Sequence, residues 1–555
     1  MPVGTRVGPL PLTVGVTGHR DLRDEDRPQL RAAVASVLEE YVAKAPHTPI
    51  TLLASLADGA DRLVARVALD AGCSLVVPLP MPLDEFKATL ADDAGRAEFD
   101  ELLGRASEHF VVPHLNETLQ WSTASRELLF ANCGAFIVGR CTELLALWDG
   151  EESGLEAGTS AIVRFMLEGA PEPLVVERSA LDPALVGPVV QIVTPRTSNP
   201  APAQKAFGIE RLYPRFVRPR SANRLAFEEL VEHIELFNAD ALDYGGMPAQ
   251  TRAPALDELQ AVAERISSHY QSLMLAALVG MLGLVFGATL TFSLYTHRFA
   301  FPSYLVTAYV AFTVLALVLH TFARRRGWQD RYQDYRSLGE ALRVAVVWKR
   351  AGIGASVGDE TARAQRGEVS WLQVALRTFA DGRSRSGDAR SKERPPLRDI
   401  FDHWVDDQAS WYRRRIAEKR SWIAVIDGVA SVAVITAIVL AVLPALPVFG
   451  VTLEPYHNAV FVVCSMLAVL AGLVKYYADK RGWVEETKEY ARVGALFGHA
   501  REQLAPLLAL SHVDPDTMRN IEKMLEELGR EALRENVAWR NLHRQRPIEW
   551  PHMGA

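Results

Sequence analysis

The sequence predicts an α/β domain built on a mostly parallel sheet, joined to an all-α membrane domain whose four transmembrane helices form two hairpins. Three observations predict it. Short apolar runs alternate with helical patterns through roughly the first 200 residues. Four later blocks stay apolar for about the length a bilayer demands. The links inside each pair of blocks are short, and basic residues gather outside them.

The strands read at 12–16, 50–56, 74–79, 110–112, 144–148, 173–176 and 189–193, each an apolar run. Helical patterns lie between most of them, as at 25–45, 60–71 and 158–168. A parallel neighbour needs a crossover connection, so this alternation implies parallel strands with helices on both faces. The domain so defined covers 1–215, and 216–255 reads as a linker.

At 555 residues the chain exceeds what one core supports, so at least two domains are expected. A formal charge of −7 with 23% charged residues lacks the basic excess of a nucleic-acid binder, and no nucleic-acid partner is expected. The first residues show no charged stretch followed by an apolar run, so no cleavable signal peptide is expected. Cys73, Cys133, Cys141 and Cys464 include no CxxC pair. Reduced, mostly buried thiols are expected, and no metal site.

The apolar blocks are 272–295, 301–323, 423–443 and 459–474. Crossing a ~30 Å hydrocarbon layer takes about 20 apolar residues, which the first three supply. Lys475, Tyr476 and Tyr477 extend the fourth by sitting at the interface. The links 296–300 and 444–458 are short, so each pair is a hairpin, and of Lys and Arg they hold only Arg298. Arg324, Arg325, Arg326, Arg331 and Arg336 follow the first hairpin. Arg413, Arg414, Arg415, Lys419 and Arg420 precede the second, and Lys475, Lys480 and Arg481 follow it. The positive-inside rule then predicts a multi-pass protein of the inner membrane, with the α/β domain, the central loop and the C-terminus in the cytoplasm. Gly283 and Gly287 form a GxxxG pair, with Gly280 on an adjacent face, a pattern that lets helices approach closely. Asp427, about one turn inside the third block, reads either as an interfacial acid or as a pore-lining or helix-pairing one.

The hairpins read as repeats. Arg265-Ile266 precedes the first as Arg415-Ile416 precedes the second. Arg326-Gly327-Trp328 follows the first as Arg481-Gly482-Trp483 follows the second. Tyr335 and Tyr490 come at one offset, then Gly339 and Gly494. Matched identities in register indicate duplication, and each tryptophan also suits an interfacial anchor. A first unit at 256–381 and a second at 399–555 flank a polar loop at 382–398. Helices are expected over 326–351 and 477–504, and an amphipathic one over 516–542 capped by Asp514 or Asp516 with Pro515 near its first position.

In a parallel sheet, ligands bind beyond the carboxyl ends of the strands. The first predicted strand ends in Thr17-Gly18-His19-Arg20. The second ends in Ala57-Asp58-Gly59-Ala60-Asp61 and runs into a helix. The fifth ends in Asp149-Gly150, and Gly158-Thr159-Ser160 opens the next helix. Glycine turns at helix N-termini offer N–H groups and a positive dipole end, suited to an anion. Arg20 can add a charge-assisted contact to a phosphate, and Asp58, Asp61 or Asp149 can accept ribose hydroxyls. The same residues equally serve as tight turns with Asp caps, and His19 as a ligand contact or a plain turn residue.

The set GVTGHRDL (15–22), SLADGADRLVA (55–65), LALWDG (145–150) and GTSAIV (158–163) resembles the SLOG superfamily over about the first 200 residues. That resemblance implies a Rossmann-like domain that binds a nucleotide or nucleotide-derived signal. The duplicated two-helix unit with its Arg-Gly-Trp and Tyr resembles the SLATT membrane family, from about residue 256 onward. SLATT units accompany nucleotide-sensing or nucleotide-making domains in bacterial conflict systems, where they are predicted pore-forming effectors. The resemblance thus implies a sensor fused to two tandem membrane units, acting in anti-phage defence. Some SLOG members are phosphoribohydrolases with a Pro-Gly-Gly-x-Gly-Thr motif followed by catalytic glutamates. Here Gly158-Thr159 is followed by Ser160, Ala161 and Ile162, and Glu156 lies before the motif, so ligand binding without that hydrolysis is implied. Those enzymes also use an arginine near the position of Arg126.

The leading expectation is a ligand-gated membrane effector with no catalytic residue, no metal and no cofactor beyond the nucleotide-derived ligand. The alternative is a membrane-anchored nucleotide or nucleotide-sugar hydrolase using Asp58, Asp61 or Asp149. A transporter fits less well, because the apolar blocks hold few ionisable residues and no broken helix. Four helices are too few to enclose a wide pore, so a homo-oligomer in the bilayer is expected.

Overall fold

The computed structural model describes residues 7–113, 125–155, 157–174, 186–214, 220–246, 254–297, 303–364, 371–378, 397–442, 456–509 and 514–547. The chain divides into two compact units, Met1–Ala263 with Ala341–Arg394, and Glu264–Glu340 with Pro395–Ala555. The first thus takes in 341–381, which the sequence assigns to a membrane unit.

Among the described residues of the first unit, the elements run β1 (Leu12–Gly18), α1 (Arg27–Lys44), β2 (Ile50–Leu53), α2 (Ala60–Asp70), β3 (Ser74–Leu79), α3 (Leu83–Lys87), α4 (Asp93–Arg105), β4 (Glu108–Val111), α5 (Arg126–Val138), β5 (Glu143–Trp148), α6 (Thr159–Glu168), β6 (Val189–Val193), β7 (Ile209–Leu212) and α7 (Arg220–Tyr244). Seven strands form one sheet in the order β4-β3-β2-β1-β5-β6-β7, parallel except for the β6–β7 pair. The α/β fold class read from the sequence is the one observed. β5 and β6 are buried along their whole length, as strands covered on both faces must be.

Three differences separate the sheet from the predicted elements. β2 stops at Leu53, because Leu56 takes a left-handed φ of 60° that ends the extended run. Of the predicted strand at 173–176, Pro173 and Leu174 lie in a turn and the rest falls outside the described residues. β7, an edge strand reading Ile-Glu-Arg-Leu, puts one apolar and one charged residue on each face and so carries no alternating apolar signature.

The stretch 216–255, read as a linker, holds α7. Its Leu230, Val231, Ile234, Phe237 and Ala241 are buried at helical spacing. Asn238 clamps it to the amino-terminal edge of the sheet. Its Oδ1 accepts from the Leu10 N–H at 2.9 Å, and its Nδ2 donates to the Leu10 carbonyl and to Thr48 Oγ1, both at 2.8 Å.

Helix α8 (Leu256–Thr296) begins at the end of the first unit and continues into the second. Then follow α9 (Ser303–Arg325) and α10 (Trp328–Ala351), of which residues up to Glu340 belong to the second unit. The short helices α11 (Val357–Ala364) and α12 (Trp371–Thr378) complete the first unit. The second continues with α13 (Leu397–Ile400), α14 (Asp407–Val442), α15 (His457–Lys480), α16 (Trp483–Leu504) and α17 (Pro515–Arg544). Among the described residues, α8, α9, α14 and α15 carry the stretches long and apolar enough to cross a membrane. The loop 382–396 and most of both hairpin links lie outside the described residues.

Leu278, Met281 and Val285 of α8 pack with Ala316 of α9 and Leu473 of α15. α14 meets α15 through Ala430, Ala433 and Ala471, small residues that let the backbones approach. A Cβ on Gly280 would lie 3.2 Å from Leu319, and one on Gly287 3.3 Å from the Phe312 ring, whereas one on Gly283 meets nothing within 4 Å. The close-packed pair facing α9 is therefore Gly280 and Gly287, one heptad apart, and not the GxxxG pair.

The repeat is visible in the backbone. The helices predicted to run unbroken over 326–351 and 477–504 are interrupted at Gly327 and Gly482, both left-handed with φ of 61° and 62°. Arg326 and Arg481 donate to the carbonyls of Phe322 and Tyr477, closing the preceding helix in the same way. The rings of Tyr335 and Tyr270 meet edge-on at 5.8 Å, and those of Tyr490 and Tyr412 at 5.6 Å. α17 starts as predicted, with Pro515 in its first turn and Asp514 Oδ1 accepting from the N–H groups of Asp516 and Thr517 at 3.0 Å.

α17 touches both repeats. The buried Arg540 donates to Asp334 of α10 at 2.9 Å, and Asn536 donates to the Ser337 carbonyl at 2.8 Å. Trp539 Nε1 donates to Glu486 of α16 at 2.6 Å, and Lys419 of α14 pairs with the same carboxylate. Arg336 lies 3.8 Å over the Trp539 ring and donates to the Tyr490 hydroxyl at 3.1 Å. Glu535 is buried among these groups, and burial pushes its carboxyl up to about 8.

Candidate functional site at the carboxyl edge of the sheet

The chain lays β2, β3 and β4 on one side of β1, then returns through α5 to lay β5 on the other. β1 and β5 therefore flank the point where the winding reverses, and the crevice beyond their carboxyl ends is the natural ligand position of such a sheet. Thr17, Gly18, His19 and Arg20 leave β1 there, Ala57, Asp58, Gly59 and Asp61 follow β2, and Asp149 and Gly150 follow β5.

Two of the glycines are needed by the chain itself. A Cβ on Gly18 would come within 2.4 Å of the Ala60 Cβ and 2.9 Å of the Leu147 carbonyl oxygen. Gly59 has φ +80°, and its Cβ would sit 2.5 Å from the carbonyl oxygens of His19 and Arg20. With both positions bare, the start of α2 presses against the end of β1, and the Ala60 N–H donates to the His19 carbonyl at 3.1 Å. That N–H is thereby unavailable to a ligand.

Asp149 braces the crevice floor. Its side chain is 0% exposed. Oδ1 accepts from the Glu151 N–H at 3.1 Å, and Oδ2 accepts from Arg196 Nε at 2.8 Å and from Asn199 Nδ2 at 3.1 Å. Burial alone would raise its carboxyl, but hydrogen bonds from Asn199 and the Glu151 N–H hold it below the usual carboxylate range. Burial lowers the His19 imidazole and outweighs the opposing pull of Asp149. Nε2 of the ring accepts the Asp149 N–H over 3.1 Å, tying the end of β1 to the end of β5. The roles predicted for His19 and Asp149 in holding a ligand are thus filled by partners within the chain.

Asp58 is likewise engaged. It pairs with Arg62, one turn on, and Arg62 also donates to the Gly95 carbonyl. Asp61 differs. It is buried, it accepts from the Ala57 N–H at 3.3 Å, and burial pushes its carboxyl up to about 7 against the nearby charge of Arg20. Beside it Ser55 Oγ lies 3.3 Å from Cys133 Sγ, a thiol that burial pushes up to about 12. Arg20 is exposed, its guanidinium stands 4.9 Å over the Phe130 ring, and among the described residues it forms no ion pair.

Protein-family models give no match to the chain, and curated proteins give none.

The third glycine turn opens α6. Gly158 holds the position before the helix, and its carbonyl accepts from Ala161 and Ile162 at 3.0 and 3.1 Å. Ser160 Oγ accepts from the Ser153 N–H at 3.2 Å, so the loop folds back on the helix start. Thr159 begins the helix, where the positive dipole end lies. Gly150, at φ +88°, has the Gln204 Oε1 2.7 Å from where a Cβ would be. Arg126 is the exposed first residue of α5, and Glu156 lies outside the described residues. Among the described residues no three His, Cys, Asp or Glu side chains are placed to hold a metal ion.

Arg196, Asn199, Gln204 and Phe130 were not singled out from the sequence. The first three follow β6 in a polar run, TPRTSNP over 194–200 and on to Gln204, at the same sheet edge. That position was their available signal.

Proposed function

We propose that this chain is a membrane-embedded sensor-effector. Its α/β unit binds a nucleotide-derived anion at the β1–β5 crevice, and binding shifts the four membrane helices toward a leaky or conducting state. The observation that carries this is Arg20, an exposed cation without an ion-pair partner among the described residues, on the edge that also holds the N-terminus of α6. Arg20, Thr17 and the Gly158-Thr159-Ser160 turn recognise phosphate, and Phe130 gives Arg20 a platform. The resemblance to SLOG and SLATT proteins supports a role in prokaryotic conflict, and the basic residues around the hairpins support a cytoplasmic α/β unit in the inner membrane.

A ligand moves such an equilibrium only through its differential affinity for the two states. Arg20→Ala is therefore expected to shift the nucleotide concentration giving half-maximal ion leakage upward by on the order of tenfold to a hundredfold, the loss of a charge-assisted hydrogen bond of about 1.5–3 kcal/mol. Saturating ligand restores the maximum. The assay is leakage from liposomes holding the full chain, titrated with nucleotides identified by mass spectrometry of co-purifying small molecules. Leakage indifferent to every such nucleotide overturns the proposal. Release of base or phosphoribose favours the second reading, a membrane-anchored hydrolase, for which the raised carboxyl of Asp61 supplies an acid.

A further inference from the structure

We propose that a second copy of this chain docks on the face of α14 and α15 that carries Asp427 and Lys475. This rests on the membrane placement of the hairpins and is independent of any gating. The two side chains form an ion pair between the helices, yet remain 54% and 55% exposed. Asp427 lies about one turn inside the apolar run of α14, and Lys475 closes the apolar run of α15. The acid the sequence left between an interfacial and a helix-pairing role thus joins the two helices and still faces outward.

Small residues lie beside the pair on both helices. Ser431 follows Asp427 by one turn, and Ala468 and Gly472 precede Lys475 along the same strip, all of them exposed. A Cβ placed on Gly472, or on Gly428 beside the acid, meets nothing within 4 Å. Small residues let another helix come close. Charges at the margin of the hydrocarbon, an acid one turn inside it above all, are costly unless something polar covers them. A partner of one sign satisfies half the pair; a second copy satisfies both. Asp427 of one copy set against Lys475 of the other, and the reverse, makes four alternating charges from one repeated surface.

The test is which chains choose each other. Full-length chains with two different tags are co-expressed, solubilised and purified through one tag, and the other tag is measured. D427K/K475D keeps the ion pair within its own chain, so it is expected to fold and to self-associate as the natural chain does. Mixed pairs of the natural and reversed chains set like charges face to face, and are expected about tenfold or more below random assortment. The single variants D427K and K475D, expressed together, are expected to pair with each other and not with themselves. If the reversed chain does not accumulate, the single variants alone decide. Random assortment of natural with reversed chains, or equal self- and cross-pairing of the single variants, would overturn the proposal and leave lipid headgroups covering the pair. Resistance of the chain to alkaline extraction from membranes reports membrane placement separately, so failure of that premise is distinguishable from failure of the docking.

Discussion

Replacing Asp149 by alanine separates a brace from a ligand contact. The carboxylate is fully buried and accepts from the Glu151 N–H, Arg196 and Asn199. Hydrogen bonds to a charged group contribute about 1.5–3 kcal/mol each, but bonds sharing one carboxylate do not add. Breaking a buried pair by removing one partner costs about 3–5 kcal/mol. Arg196 is 25% exposed and recovers some hydration, which puts Asp149→Ala near the lower end, about 3 kcal/mol. The carboxyl is depressed in the folded protein, so its contribution is fully present above the unfolded pKa of about 3.9 and is lost as pH falls through the folded value. The destabilisation should therefore be undiminished between about pH 5 and 8. Hydrogen exchange of the full chain reads it directly, as accelerated exchange at the Glu151 amide and at the amides of the turn after β6 that Arg196 and Asn199 pin to the carboxylate. Unchanged exchange at those amides, together with abolished nucleotide binding, would refute the brace and restore Asp149 to the ligand.

Other expectations follow from single geometries. Gly18→Val drives a side chain into Ala60 and the Leu147 carbonyl, so it should unfold the β1–α2 contact, seen as proteolysis of the α/β unit, and not merely block a ligand. Gly327→Ala and Gly482→Ala each place a Cβ on a left-handed residue, and each should lower stability by about 1–2 kcal/mol in thermal unfolding, although a Cβ meets nothing within 4 Å at Gly327 and only ordinary contacts at Gly482. The raised carboxyl of Glu535 contributes stability fully present below its unfolded pKa of about 4.3 and lost as pH rises through about 8. The natural chain should thus lose melting temperature between about pH 5 and 8, and Glu535→Gln should flatten that slope. An unchanged slope would assign the pH dependence to another group.

Much of the architecture was legible because it rests on periodicity. The parallel strands at 12–16, 74–79, 144–148 and 189–193, the apolar helices and the Asp514 cap all declare themselves within a few residues of sequence. α7 was legible too, from the spacing of Leu230, Val231, Ile234, Phe237 and Ala241, but a helix apolar on one stripe only stands out less than the uninterrupted apolar blocks that follow it. The site was legible as a place and less so as a set of roles. Gly18, His19, Asp58 and Asp149 look alike to a sequence reader whether they face a ligand or one another. What commits them is Arg62, Arg196, Asn199 and Ala60, brought close by the winding of the sheet. Arg20 and Phe130 meet only because β1 and α5 adjoin.

The two hairpin units share a fold, yet one terminal helix serves both. α17 meets the first through Asp334 and Ser337 and the second through Glu486, using different chemistry on each. Had the same unit assembled from separate identical subunits, every subunit would have brought its own terminal helix and an equivalent place to rest it. Duplication within one chain removes that equivalence. The likeness between the two hairpin units ends at α17, so the halves keep different surroundings. Symmetry-breaking of this kind is written into the gene and needs no ligand to establish it.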